Sequence, residues 1–166
     1  TDSDIVKKIA REVDIKLGKI DNSGEPHEYV FQENQTNMEF LRERAALIGF
    51  EIFIEGDKIN FCKPQKESKP LDLTWLIDIS KFNTRITSAE QVSAVEVRGW
   101  DYTQKKLITS TANSETVVTE TGNGTGSSSS NKFNLSKAPK MTVVDKPVFS
   151  AKQAEKMAQA LCDELG

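Results

Sequence analysis

Residues 27–64 read HEYVFQENQTNMEFLRERAALIGFEIFIEGDKINFCKP, and the fold is decided there. Thr36-Asn37-Met38-Glu39 is a capping box: the Thr36 hydroxyl can accept from the Glu39 amide, and the Glu39 carboxylate can reach back to the Thr36 amide. Behind it Met38, Phe40, Leu41, Ala45 and Ile48 fall near helical spacing, and Arg42, Glu43 and Arg44 read as a solvated face. Gly49 stands where a helix C-cap glycine belongs. A hairpin follows. With Gly56-Asp57 as a two-residue turn, glycine first, Glu55 faces Lys58, Ile54 faces Ile59, Ile52 faces Phe61 and Phe50 faces Lys63. Phe50, Ile52, Ile54, Ile59 and Phe61 then share one face. A one-residue slip would scatter them, so the pattern specifies the register.

Working outward, Asp4 to Lys16 reads as a first helix capped by Ser3 or Asp2. Ile5, Ile9, Val13 and Leu17 form its stripe, and Gly18 ends it. Residues 20–26 are a loop with a turn at Asn22-Ser23-Gly24. Glu28 to Gln32 reads as a short strand, Tyr29 and Phe31 on one side and Val30 on the other. Residues 64–70 (PQKESKP) read as a linker. Leu71, Leu73 and Trp75 alternate with polar residues, as in a strand, and Phe82, Thr84 and Ile86 suggest a further extended segment. The clearest strand of the second half is Gln91 to Trp100, turned back into Lys105 to Thr111; Gly99 marks a bulge or a close backbone approach. Residues 112–139 are low in complexity and read as a mobile loop. Met141 to Val144 is a strand candidate. Ser150 with Gln153 forms a second capping box for a closing helix, 150–165.

The expected fold class is α+β. One subdomain, 1–64, combines helices and hairpin. The other, 65–166, is an antiparallel, barrel-like set of strands with the C-terminal helix. In a chain of 166 residues, 37% hydrophobic and 28% charged, one domain or two small subdomains can bury a core. The net charge of −3 disfavours a general nucleic-acid binder. There is no apolar run long enough for a membrane span and no apolar signal-peptide core at the N-terminus. The first helix begins almost at once and no initiator Met precedes it, which suggests a fragment of a larger protein.

Candidate chemistry is sparse. His27, the single histidine, has no neighbouring Cys or carboxylate cluster in sequence and reads as an ordinary surface residue. Cys62 and Cys162 belong to no metal-binding or redox motif and read as free, partly buried thiols. Asp72, Asp78 and Asp101 share no catalytic spacing, and no nucleotide-, zinc- or hydrolase-type motif occurs. Glycines 122, 124 and 126 lie in the serine-rich loop, not between a strand and a helix. Trp75 and Trp100 read as core or interface residues. No catalytic, cofactor-binding or metal-binding residue is assigned, no cofactor is expected, and the chain is expected not to be an enzyme.

The strings YVFQENQTNMEFLRERAALIGFEIFIEGDKINF, VSAVEVRGWDYTQKKLI and VVDKPVFSAKQAEKMAQALCDELG together resemble the phage late control D family. That family includes baseplate hubs of contractile tails and the hub part of valine-glycine-repeat spike proteins. The resemblance implies a structural hub adapting a tail tube to a spike, made in the cytoplasm and assembled into a virion tail or injection particle. Its implied partners are further copies of itself (a homotrimer), the tail tube protein, a spike domain or protein and other baseplate proteins, without nucleic acid or a membrane span. The rival reading is a small cell-wall carbohydrate- or peptide-binding module. It requires an exposed aromatic groove, for which Tyr29, Phe31 and Phe53 are candidates, two of them more naturally packed inside.

Overall fold

The computed structural model describes residues 1–65, 71–84, 91–116, 132 and 139–165. It is a mixed α+β fold. Among the described residues three named helices accompany two three-stranded sheets, ordered β1-β3-β2 and β5-β4-β6. The helices are α1 (Asp2–Glu12), α2 (Asn37–Leu47) and α3 (Ala151–Leu165). The strands are β1 (Lys16–Ile20), β2 (Glu51–Glu55), β3 (Lys58–Cys62), β4 (Ala94–Asp101), β5 (Lys106–Ala112) and β6 (Lys140–Val143). Among the described residues each sheet keeps two open edges, so the strands do not close into the expected barrel.

The hairpin has the register its pattern specifies. Glu55 pairs with Lys58, Ile54 with Ile59 and Ile52 with Phe61. Gly56 supplies the positive φ of 62° that the turn requires. Burial is uneven along that face: Ile59 and Phe61 lie in the core, whereas Ile54, near the hairpin tip, is half exposed. The capping box at Thr36 is present in both directions. The Thr36 amide and hydroxyl both donate to the Glu39 carboxylate at 2.8 Å, which holds that carboxyl below its ordinary pKa.

The first helix differs from expectation at both ends. It starts at Asp2, with Thr1 as its cap, and stops at Glu12. Its termination has the same chemistry as that of α2. The amide of Phe50 donates to Ala45 O at 2.9 Å and that of Gly49 to Ala46 O at 3.3 Å, with Gly49 at φ +66°. At the end of α1 the amide of Ile15 donates to Ala10 O at 2.9 Å and that of Asp14 to Arg11 O at 3.4 Å, with Asp14 at φ +54°. Both are Schellman closures, but in α1 an aspartate occupies the left-handed position usually held by glycine. Gly18 therefore lies within β1. That strand runs parallel to β3, with a register break between Leu17 and Ile20. The Asn60 side chain fills the break, its Oδ1 accepting from the Lys19 amide at 2.8 Å. A Cβ on Gly18 would sit 2.3 Å from that oxygen.

In the second sheet β4 is central, antiparallel to β5 and parallel to β6. Val95, Val97 and Val143 face α3, whose Ala154, Met157 and Ala158 complete the cluster. Gly99 is a close approach and not a bulge. Its pairing with Ile108 continues the ladder, and a Cβ there would meet Val148 Cγ2 at 2.3 Å. Since α3 covers one face only, Trp100, on the other, is 56% exposed, so of the expected core or interface roles it does not take the core one. Trp75 is 57% exposed as well. The expected strand at 71–75 is instead an irregular segment leading into a tight turn, where Leu76 adopts φ +68° and its amide donates to Ile79 O at 2.8 Å. Residues 66–70 of the linker, Ile86, and 117–131 and 133–138 of the low-complexity stretch lie outside the described residues. Cys62 and Cys162 are buried and free, and burial pushes both thiols up in pKa.

Candidate functional site

Two apolar clusters organise the described residues. One gathers Val6, Ala10, Phe40, Leu41, Ala45, Ile59 and Phe61; the other joins β4, β6 and α3. A groove of about 550 Å³ opens between α2, the N-terminal turns of α3 and the segment from Ser23 to Phe31.

Its floor is a polar knot. The carboxylate of Asp2, only 2% exposed, accepts from Arg44 Nε at 2.6 Å and lies 2.9 Å from His27 Nε2. On the other side of the ring, His27 Nδ1 is 3.5 Å from Gln153 Nε2. The roles at Nε2 follow the ring's proton: carrying it, Nε2 donates to Asp2, and without it Nε2 accepts from Arg44. Arg44 Nη2, which can only donate, lies 2.9 Å from the same Nε2, and the guanidinium charge is answered by Asp2. His27 is thus part of a knot joining α1, α2 and α3, not the ordinary surface histidine expected. Arg44 is drawn off the solvated face assigned to residues 42–44; Arg42 and Glu43 remain exposed.

A second row of contacts fastens α3 to the loop. Lys152 Nζ pairs with Glu25 at 2.5 Å, which lowers the Glu25 pKa and raises that of Lys152. Lys156 Nζ donates to the Ser23 carbonyl at 2.8 Å. Ser23 is itself anchored to α1: its amide donates to Ser3 Oγ at 2.8 Å and its hydroxyl accepts from the Ser3 amide at 3.0 Å.

The outer wall is aromatic. Tyr29 and Phe31 project to one side with their rings stacked, centroids 6.5 Å apart and planes 7° off parallel. They are 75% and 64% exposed, while Val30 points the other way into the first cluster. The alternation expected of a strand is therefore present, but residues 28–32 pair with no strand among the described residues. Phe149 closes the opposite rim. Phe53, also exposed, does not line this groove. Two of the three aromatic candidates thus come together in the open, where packing inside was expected for two. No spacing pattern links residues 2, 27, 44 and 153. A period-two aromatic pair without a partner strand was the one local signal of the wall.

The fold and groove define a small α+β module with a recessed polar floor and an aromatic wall. Residues 1–162 match the family model described as the Alg8 N-terminal domain, and the chain belongs to that family. Among curated proteins, none matches. This match overturns the assignment to the phage late control D hubs, and with it the tail-tube adaptor function and the localisation in a virion or injection particle. Alg8 is a name carried by glycosyltransferases, which points towards an enzyme family. Among the described residues no helix is long and apolar enough to cross a membrane, and no group of three or more His, Cys, Asp or Glu side chains is arranged to hold a metal ion.

Proposed function

We propose that this chain is a ligand-binding domain of a larger Alg8-type protein, and that it holds its ligand without transforming it. The observation that carries this reading is the exposed Tyr29–Phe31 stack on the wall of a recessed groove. Exposed aromatic surface over a concave, partly polar site is the usual signature of recognition. The floor supports binding over chemistry. His27 is held among Asp2, Arg44 and Gln153, so among the described residues no free nucleophile–base pair faces the cavity. If the larger protein transfers sugars, the transfer chemistry lies outside these residues.

Amide chemical shifts of the isotope-labelled chain, followed during a screen of small saccharides, peptides and sugar nucleotides, test this. Perturbations clustering on Tyr29, Phe31, Arg44 and Gln153 are expected, with no turnover of any sugar nucleotide. Perturbations confined to other surfaces, or measurable transfer or hydrolysis by this chain alone, would overturn it.

A further inference from the structure

We infer that the groove's ligand is an extended peptide segment presenting lysine or arginine side chains. The inference rests on the ligand-binding reading above and adds the chemistry of what is bound.

The first observation is electrostatic. Three cations line the groove: Arg44 is paired with Asp2 and Lys152 with Glu25, while Lys156 is held by the neutral Ser23 carbonyl and keeps its charge, one positive against the two acids that follow. Two further acids line it, Glu33 and Glu43, and both are exposed with no ion pair or hydrogen bond among the described residues. The uncommitted charge of the groove is therefore negative. It shares the cavity with the Tyr29–Phe31 stack. A cation against an aromatic face, with a carboxylate within reach, gains from the ring quadrupole and from the ion pair together. An anionic ligand would find both acids opposing it.

The second observation is independent and concerns the backbone. Residues 29–31 run along the groove wall outside any helix or strand, and among the described residues none of their amides or carbonyls has a hydrogen-bond partner. Unpaired extended backbone beside a cleft is the template on which a peptide adds as a strand. Main-chain pairing would supply affinity. Alternate side chains would then point at the aromatic stack and its acids, since successive residues of a strand face opposite ways.

Fluorescence anisotropy with two labelled ten-residue peptides tests this, one alternating threonine with lysine, the other threonine with glutamate. The lysine peptide is expected to bind at least ten-fold more tightly than the glutamate peptide. The double variant Glu33→Gln/Glu43→Gln should weaken it ten-fold or more, and Tyr29→Ala/Phe31→Ala should weaken it similarly. All four side chains are exposed, so unchanged melting curves are the control for folding. Equal binding of the two peptides, or unchanged binding by the Glu33→Gln/Glu43→Gln variant, would overturn the inference. A neutral oligosaccharide, maltoheptaose, separates the two levels of the argument. If it binds and needs Tyr29 while neither peptide does, the groove is a binding site and the cationic-peptide inference fails. If none of the three binds, both readings fail.

Discussion

Arg44 Nε donates to the buried carboxylate of Asp2 at 2.6 Å, across 42 residues of sequence, and fixes the last turn of α2 against the start of α1. Removing one member of a buried pair leaves the other uncompensated, which costs more than the pair contributes. Arg44→Ala is therefore expected to lower unfolding free energy by about 3 kcal/mol, read from urea denaturation. A loss within the range of an exposed surface pair, about 0.5 kcal/mol, would show that water replaces the guanidinium freely.

Gly99 is a steric prediction. Its missing Cβ is what lets Val148 approach: a Cβ there would meet Val148 Cγ2 and lie 3.1 Å from the Val148 carbonyl oxygen. Gly99→Ala should destabilise by about 2 kcal/mol through overpacking. In the Val148→Ala background the same change should cost less, because one of the two clashing groups is gone. Additive effects of the two substitutions would place the strain elsewhere.

Glu96 makes a prediction in pH. Hydrogen bonds first from Arg98 and then from Lys140 hold its carboxyl at about 2, below the ordinary value of 4.5. A folded-state pKa below the unfolded one contributes stability that is fully present above the unfolded value and is lost as pH falls through the folded one. The melting-temperature gap between the natural protein and Glu96→Gln should thus be constant above about pH 5 and shrink between pH 4.5 and 2. A carboxyl carbon resonance of Glu96 titrating near 4.5 would contradict it.

Cys62 and Cys162 are both buried, with thiol pKa values raised by burial. The thiolate is the reactive form. Iodoacetamide should leave both unmodified in the native protein at pH 7.5 and label both in urea, as intact mass would show. Rapid native labelling of Cys62 would mean that β3 opens locally.

What the sequence made legible was local. The Gly56-Asp57 turn, the Thr36–Glu39 box and the alternation around Val95 and Val97 each operate within a few residues, and each appears in the fold. Whatever depended on distant partners did not show. Nothing near Leu17 announces that residues 16–20 will run parallel to β3, because the deciding contact is the Asn60 side chain. Asp14 ended α1 by taking a backbone conformation that glycine normally takes, so the expected terminator was read four residues too late. The exposure of Trp100 follows from α3 covering one sheet face, a fact about packing that alternation cannot carry. His27 looked isolated because its partners come from residues 2, 44 and 153. The resemblance to the phage hubs rests on moderate similarity spread over three strings, which does not separate that family from the one matched over residues 1–162.

The contacts of α3 with residues 23–27 have a mechanical consequence. Lys152, Gln153 and Lys156 bridge that boundary through an ammonium, an amide and a second ammonium. Such contacts exchange for water at small free-energy difference, whereas the apolar clusters on either side do not. The groove runs along this boundary, which Leu47 of α2 also crosses by packing against the α3 cluster. Raising the ionic strength should therefore loosen the lysine contacts of the groove first and leave that apolar bridge in place.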